Sequence, residues 1–208
     1  MTMALASAPP QGGKARRTYD ALVEATRAVI ASTGSFSAET VGTRAGMSQA
    51  TFYSYFPSKD DALAAAFDRV LTELDAAGAL ALDVERLLDA GLQTVLEEAV
   101  TGVLDVFRDN ALVFRLALVR LPESKAIRDV FRRRERDGYE ILRRFVELGQ
   151  KAGGIRKGDT DRLATILLIT LQGLNNPILL QRSDDDPTLC DIVSMLESLL
   201  CEEQRGPA

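Results

Sequence analysis

Apolar residues recur at helical spacing along nearly the whole chain, and turn residues cut the pattern into segments. Leu22, Ala25, Val29 and Ile30 predict a first helix from Lys14 to Ser32, stopped by Gly34. Ser37 then caps a short helix with Val41 and Ala45 on its inner side, and Gly46 ends it. Ser48 caps a second short helix, Gln49 to Tyr55, whose Phe52 and the following Phe56 are four apart and share a face. With Phe36, Val41, Ala45 and Met47 they make a small core. Ser58 to Asp61 resembles a capping box, and Leu63, Phe67, Val70, Leu71 and Leu74 continue that helix to about Ala77.

Five more helices are predicted beyond it. Asp83 opens one with Leu88, Leu92, Val95, Ala99, Val103 and Val106 on a stripe, ending near Phe107; Asn110 to Leu121 is closed by Pro122. Glu123 to Ala152 sets Ile127, Phe131, Ile141, Phe145 and Leu148 on one side and stops at Gly153-Gly154. A helix from near Asp159 carries Leu163, Ile166, Leu167, Thr170, Leu171 and Leu174. The last starts at Pro187 and carries Leu189, Ile192, Val193, Leu196, Leu199 and Leu200. The fold class is therefore all-α, about nine helices. A three-helix head (14–57) leads through a connecting helix (58–77) to a helical bundle domain (78–208), after a disordered leader (1–13). The last two helices are apolar over more than one face, which predicts a homodimer packed through them.

Two short helices joined at Gly46, followed at once by a third, have the layout of a helix-turn-helix, in which the second short helix enters the major groove. The charge distribution agrees. Between Lys14 and Lys59 six basic residues face three acidic ones, a net of +3, whereas the whole chain carries −5, leaving −8 elsewhere. A basic head on an acidic body suits a chain that offers one end to a polyanion.

The residues AGMS (45–48), Thr51 to Phe56, Ser58-Lys59 and Leu63 closely resemble the DNA-binding signature of the TetR family of bacterial regulators, a likeness that covers roughly residues 14 to 75. It implies that Gln49, Ala50 and Thr51 meet base edges and that Tyr53 and Tyr55 meet phosphates and thymine methyls. Lys59 would anchor a phosphate, and Lys14 and Arg17, with Arg16, would lie near the DNA backbone. Ser37 and Ser48 would meet the backbone as well as cap their helices. Glutamine can pair with adenine N6 and N7. Two departures stand out: Ala50 replaces the usual glycine, and Glu39 sits where many members carry a basic residue. Gly42 inside its helix costs about 1 kcal/mol relative to alanine, with no explanation in the sequence.

The resemblance further implies a ligand cavity in the body, with Phe107, Phe114, Leu118, Phe131, Arg134, Tyr139, Gln172 and Asn175 as candidate ligand contacts. Aromatics at helical spacing are more often plain core than pocket; Arg134, Gln172 and Asn175 interrupt apolar faces and need partners. The expected function is a homodimeric repressor released from a palindromic double-stranded DNA operator by a small hydrophobic effector. The alternative is a dimeric DNA-binding regulator without a ligand. An enzyme is disfavoured by the absence of histidine, a catalytic constellation or a phosphate-cradling glycine loop. No cofactor, no metal and no membrane partner are expected, because Cys190 and Cys201 lack metal spacing and the apolar runs are short. These features predict a cytoplasmic, nucleoid-associated protein. The two cysteines are read as buried structural thiols, with a redox role left open. The dense arginine run Arg132, Arg133, Arg134 and Arg136 is read as a solvated helix face.

Overall fold

The computed structural model describes residues 9–201, so most of the expected leader lies outside the described residues. Among these every regular element is an α-helix. They are α1 Gly13–Thr33, α2 Ala38–Ala45, α3 Gln49–Tyr55, α4 Lys59–Ala81, α5 Val84–Ala90, α6 Leu92–Asp109, α7 Ala111–Arg120, α8 Lys125–Ala152, α9 Thr160–Gly173, α10 Pro177–Leu180 and α11 Pro187–Leu200. The chain divides into two compact units. One is built from the chain up to Leu71 together with Asp109–Arg133, the other from Thr72–Arg108 and the chain from Arg134 onward.

In the first unit Leu22, Val23, Ala25 and Val29 of α1, Val41 of α2 and Phe52 of α3 are buried with Phe56 and with Ala62 and Ala66 of α4. Tyr19, Phe36, Ala45 and Met47 pack half-buried against this core. Phe67 of α4 is fully buried, with Phe114 of α7 edge-on at 5.2 Å and Phe131 of α8 stacked at 6.4 Å. Polar ties complete the unit. Asp20 receives Arg69 at 2.9 Å, Asn110 receives Arg27 at 3.0 Å, and Asp68 receives Arg133 at 2.9 Å.

In the second unit α6 buries Val95, Leu96, Ala99, Val100, Val103, Leu104 and Phe107. Buried with them are Leu142, Phe145 and Val146 of α8, Leu163, Leu167 and Leu171 of α9, and Leu189, Val193, Leu196 and Leu200 of α11. Arg156 fastens the end of α11, its backbone N–H donating to Leu200 O at 2.7 Å and its Nε to Leu199 O at 2.6 Å.

Most helix starts and stops follow the predicted caps, although α4 runs to Ala81, past the expected end near Ala77, and two elements were not expected. The single helix expected from Asp83 to Phe107 is two, broken at Gly91, which adopts φ 86°. That left-handed backbone suits glycine alone among common residues. The break shifts the register, so Leu87 is buried and Leu88, expected on the stripe, is 60% exposed. The short α10 begins at Pro177, where Asn176 accepts from Ile178 N–H. On α8 the inward face is Ile127, Val130, Leu142, Phe145 and Val146, and the expected Phe131, Ile141 and Leu148 are its half-buried flanks. The thiols are not buried as expected either. Cys190 is exposed on α11, and Cys201, at the end of that helix, is half-buried, with desolvation pushing its thiol up.

Candidate nucleic-acid interface

The geometry of the helix-turn-helix is set by side-chain caps and by one missing Cβ. At the start of α2, Thr40 N–H donates to Ser37 Oγ at 3.1 Å while Ser37 N–H donates to Thr40 Oγ1 at 3.0 Å. This reciprocal pair satisfies two amides that the helix itself leaves open. At the other end Gly46 takes φ 67°, and Met47 N–H folds back to Gly42 O at 2.8 Å. A Cβ on Gly42 would lie 2.8 Å from Met47 O and 3.3 Å from Ser48 C. Gly42 is thus the residue that lets the chain leaving the turn run against α2, which accounts for a glycine otherwise costly in a helix.

The same turn delivers Ser48 as the cap of α3. Its Oγ accepts Thr51 N–H at 3.1 Å and lies 2.9 Å from Thr51 Oγ1. Phe52, fully buried, holds α3 down, with Phe56 at 5.4 Å and Tyr19 against Phe56 at 5.2 Å. What remains outward on α3 and its cap is Ser48, Gln49, Ala50, Tyr53 and Ser54, with Thr51 half-buried. Tyr53 is 46% exposed, its ring edge-on to Phe52 at 5.3 Å. Tyr55 does not share that exposure: it packs half-buried on the head core, so packing explains it in part.

Lys59 is exposed at the first position of α4. The helix start is held by Ser58 and Asp61, with Ser58 N–H donating to Asp61 Oδ2 at 2.9 Å and Asp61 N–H to Ser58 Oγ at 3.2 Å. Lys14 and Arg17 are exposed in the opening turns of α1. Arg16 is engaged otherwise: it donates to Asp20 at 2.8 Å and lies 5.9 Å over the Tyr19 ring, and Asp20 pushes its pKa further up. Glu39 is exposed in the first turn of α2, and Arg44 in the last turn of that helix is exposed beside the turn. Sequence reasoning counted Arg44 only as net charge; its place in the last turn before Gly46 is the signal that could have singled it out.

The eight effector candidates are divided between the two units. In the first unit Phe114 and Phe131 converge on Phe67, whereas Leu118 is 41% exposed. In the second unit Phe107 is buried, and Arg134 pairs with Asp75 at 3.4 Å. Tyr139 donates to Asp161 at 3.0 Å, and desolvation together with that carboxylate pushes its phenol up. Gln172, expected within a buried apolar face, is exposed, and Asn175 is half-buried. Two arginines of the run are paired across the sequence, Arg133 with Asp68 and Arg134 with Asp75. Besides the pairs of Arg133 and Arg134, Arg128 just before the run donates to the carbonyls of Leu121 and Pro122. Among the described residues no helix is long and apolar enough to cross a membrane.

Residues 22–66 match the model of the bacterial regulatory proteins, tetR family. No curated protein sequence matches the chain. Among solved structures, the chain is similar to a TetR-family transcriptional regulator from Mesorhizobium loti, with a TM-score of 0.70 at 16% identity over 90% of this chain and 95% of that one. It is similar to a TetR transcription regulator from Haloarcula marismortui, with a TM-score of 0.72 at 19% identity over 88% and 98%. It is also similar to SmeT in its complex with triclosan, with a TM-score of 0.65 at 19% identity over 92% and 96%. The helix-turn-helix of residues 22–66 is therefore a TetR-family DNA-binding domain, carried on a chain with the fold of TetR-family transcriptional regulators.

Proposed function

We propose that the chain is a homodimeric repressor that reads a palindromic operator through α3 and is released by a small apolar effector. The observation that carries this reading is the outward face of α3. Gln49, Ala50 and Tyr53 are exposed while Phe52 and the two caps fix the helix beneath them. In this reading Gln49, Ala50 and Thr51 meet base edges and Tyr53 meets phosphate or a thymine methyl. Tyr55 adds its outer edge, and Lys59, Lys14 and Arg17 neutralise phosphates. Ser37 and Ser48 act first as caps, because their hydroxyls are already engaged.

Pairing of two chains is supported by apolar side chains left outward on the last helices: Ile169 on α9, Ile178 on α10 and Met195 on α11 are each more than half exposed. A second copy covering them would set two heads about 34 Å apart, one turn of DNA. For the effector, the support is the fold shared with a structure that holds triclosan and the aromatic trio Phe67, Phe114 and Phe131. Reversing occupancy from 99:1 to 1:99 requires the ligand to prefer the released state by about 5.5 kcal/mol.

The test is retardation of a duplex carrying the DNA upstream of the chain's own gene. Binding is expected at low salt and should fall steeply as salt rises, because phosphate contacts release counterions. Gln49→Ala with Tyr53→Ala should abolish preference over a scrambled duplex. In sedimentation, Ile169→Asp with Met195→Asp should halve the mass. A wild-type chain that retards neither duplex ends the reading; binding without thermal stabilisation by any apolar compound would favour a regulator with no effector.

A further inference from the structure

We infer that Arg120, at the end of α7, is a positioning residue for DNA anchoring: it neutralises Asp60 beside Lys59 and so fixes the sign of the potential at the start of α4. The inference rests on the proposed DNA reading, in which Lys59 meets a phosphate.

The start of α4 is awkward for that task. Lys59 is followed at once by Asp60 and Asp61, so one cation is offered with two carboxylates. Both suit a helix N-terminus, where negative charge is favoured, but both oppose an approaching phosphate. Asp61 is absorbed in the cap, its Oδ2 accepting Ser58 N–H at 2.9 Å and Ser58 Oγ at 2.7 Å. Asp60 has no such role and receives a cation instead. Arg120 donates from Nε to Asp60 Oδ1 at 3.3 Å and from Nη2 to Oδ2 at 3.1 Å, a two-pronged pairing across 60 residues of sequence. The remaining Nη1 donates to Glu123 at 2.7 Å.

The helix that presents Arg120 is itself fixed to the same unit. At its other end Asn110, 5% exposed, accepts from Arg27 of α1 at 3.0 Å, and between them Phe114 stands edge-on to the buried Phe67 of α4. The guanidinium is thus offered to Asp60 from an anchored helix. An ion pair this exposed, with 41% and 28% of the two side chains accessible, contributes little to stability. Its effect is on the field that a phosphate meets at Lys59. Loss of Arg120 leaves a bare carboxylate next to the anchor.

The experiment uses the full-length chain and two labelled duplexes, the DNA upstream of its own gene and a scrambled sequence of equal length, titrated across a salt series. Arg120→Gln is expected to weaken binding to both by about three- to tenfold, since the lost term is electrostatic and carries no sequence information. Asp60→Asn in that background is expected to restore binding to within about twofold of wild type, a rescue that a packing role would not show. The slope of log affinity against log salt should stay within one unit of wild type, because Arg120 replaces no phosphate counterion. Unchanged binding by Arg120→Gln, failure of Asp60→Asn to rescue, or a lost slope unit overturns the inference. Failure of wild type to bind either duplex overturns the DNA reading and this inference with it.

Discussion

The molecule turns two tight corners on glycines that stand inside a helix, and the two differ in what presses against them. In the helix-turn-helix, a Cβ on Gly42 would meet the carbonyl of Met47 at 2.8 Å, which is backbone. At the corner between α8 and α9, a Cβ on Gly149 would meet Ile155 Cδ1 at 2.5 Å and Cγ1 at 2.7 Å, which are side-chain atoms. Both corners are closed by the same kind of bond. Met47 N–H returns to Gly42 O at 2.8 Å, and Gly154 and Ile155 N–H return to Gly149 O at 3.0 and 3.1 Å. A side chain can rotate away, whereas moving Met47 O moves Ser48 and with it the whole of α3. The reading corner is therefore rigid by construction and the body corner adaptable, as the proposed roles of recognition and accommodation require.

The largest test of that difference is Gly42→Ala. Alanine favours a helix interior over glycine by about 1 kcal/mol, so the substitution would stabilise α2 if space allowed. Here the clash with a fixed backbone carbonyl should outweigh that gain, for a net loss of about 2 kcal/mol in urea unfolding. DNA affinity should fall further than stability, because the displaced atom leads directly into α3. A Gly42→Ala chain as stable as wild type would mean that the turn can yield, and the contrast between the corners would be lost.

The same contrast explains what the sequence revealed. The head was legible because its determinants are local. Ser37, Gly46, Ser48 and the Ser58–Asp61 pair each act within four residues, and each stands where the caps required it. Gly42 was visible as an oddity, but its reason lies in a backbone contact that no spacing announces. In the body the stops at Pro122 and Gly153 and the start at Asp159 were legible, while the break at Gly91 was hidden by apolar residues that continue on both sides of it. Exposure was the least legible property. Tyr55, Leu88, Gln172 and Cys190 all fit a helical pattern, and only tertiary packing decides which way each faces. The Arg120–Asp60 pair was out of reach for the same reason, since its partners lie 60 residues apart.

Removing a cap sharpens the comparison from the other side. Ser48→Ala takes away the acceptor of Thr51 N–H and should cost about 1 kcal/mol. Thermal unfolding would measure the loss. Glycine at position 48 should recover most of it, because glycine caps nearly as well as serine by exposing the amides to water. If alanine proves neutral, the turn is held by Gly42 and Phe52 alone, and the hydroxyl of Ser48 would be available to DNA.

The smallest expected effect is that of Gly149→Ala at the body corner. The distances to Ile155 are shorter than those at Gly42, and a ranking by distance alone would make this the more damaging change. The identity of the obstructing atoms reverses the order. Ile155 can shift its χ angles at a cost of about 0.5–1.5 kcal/mol, against a gain of about 1 kcal/mol from alanine in α8. The net change should stay within about 1 kcal/mol of zero in urea unfolding, with DNA affinity unaltered because α3 is untouched. Ile155 is buried at 3% exposure, as is Leu87 beside it, so the shift is confined by neighbours. Trimming the obstruction decides whether that confinement matters: with Ile155→Ala, which removes both Cδ1 and Cγ1, Gly149→Ala should cost less than it does in the wild-type chain. If Gly149→Ala instead destabilises as much as Gly42→Ala, and Ile155→Ala gives no relief, the body corner is as rigid as the reading corner.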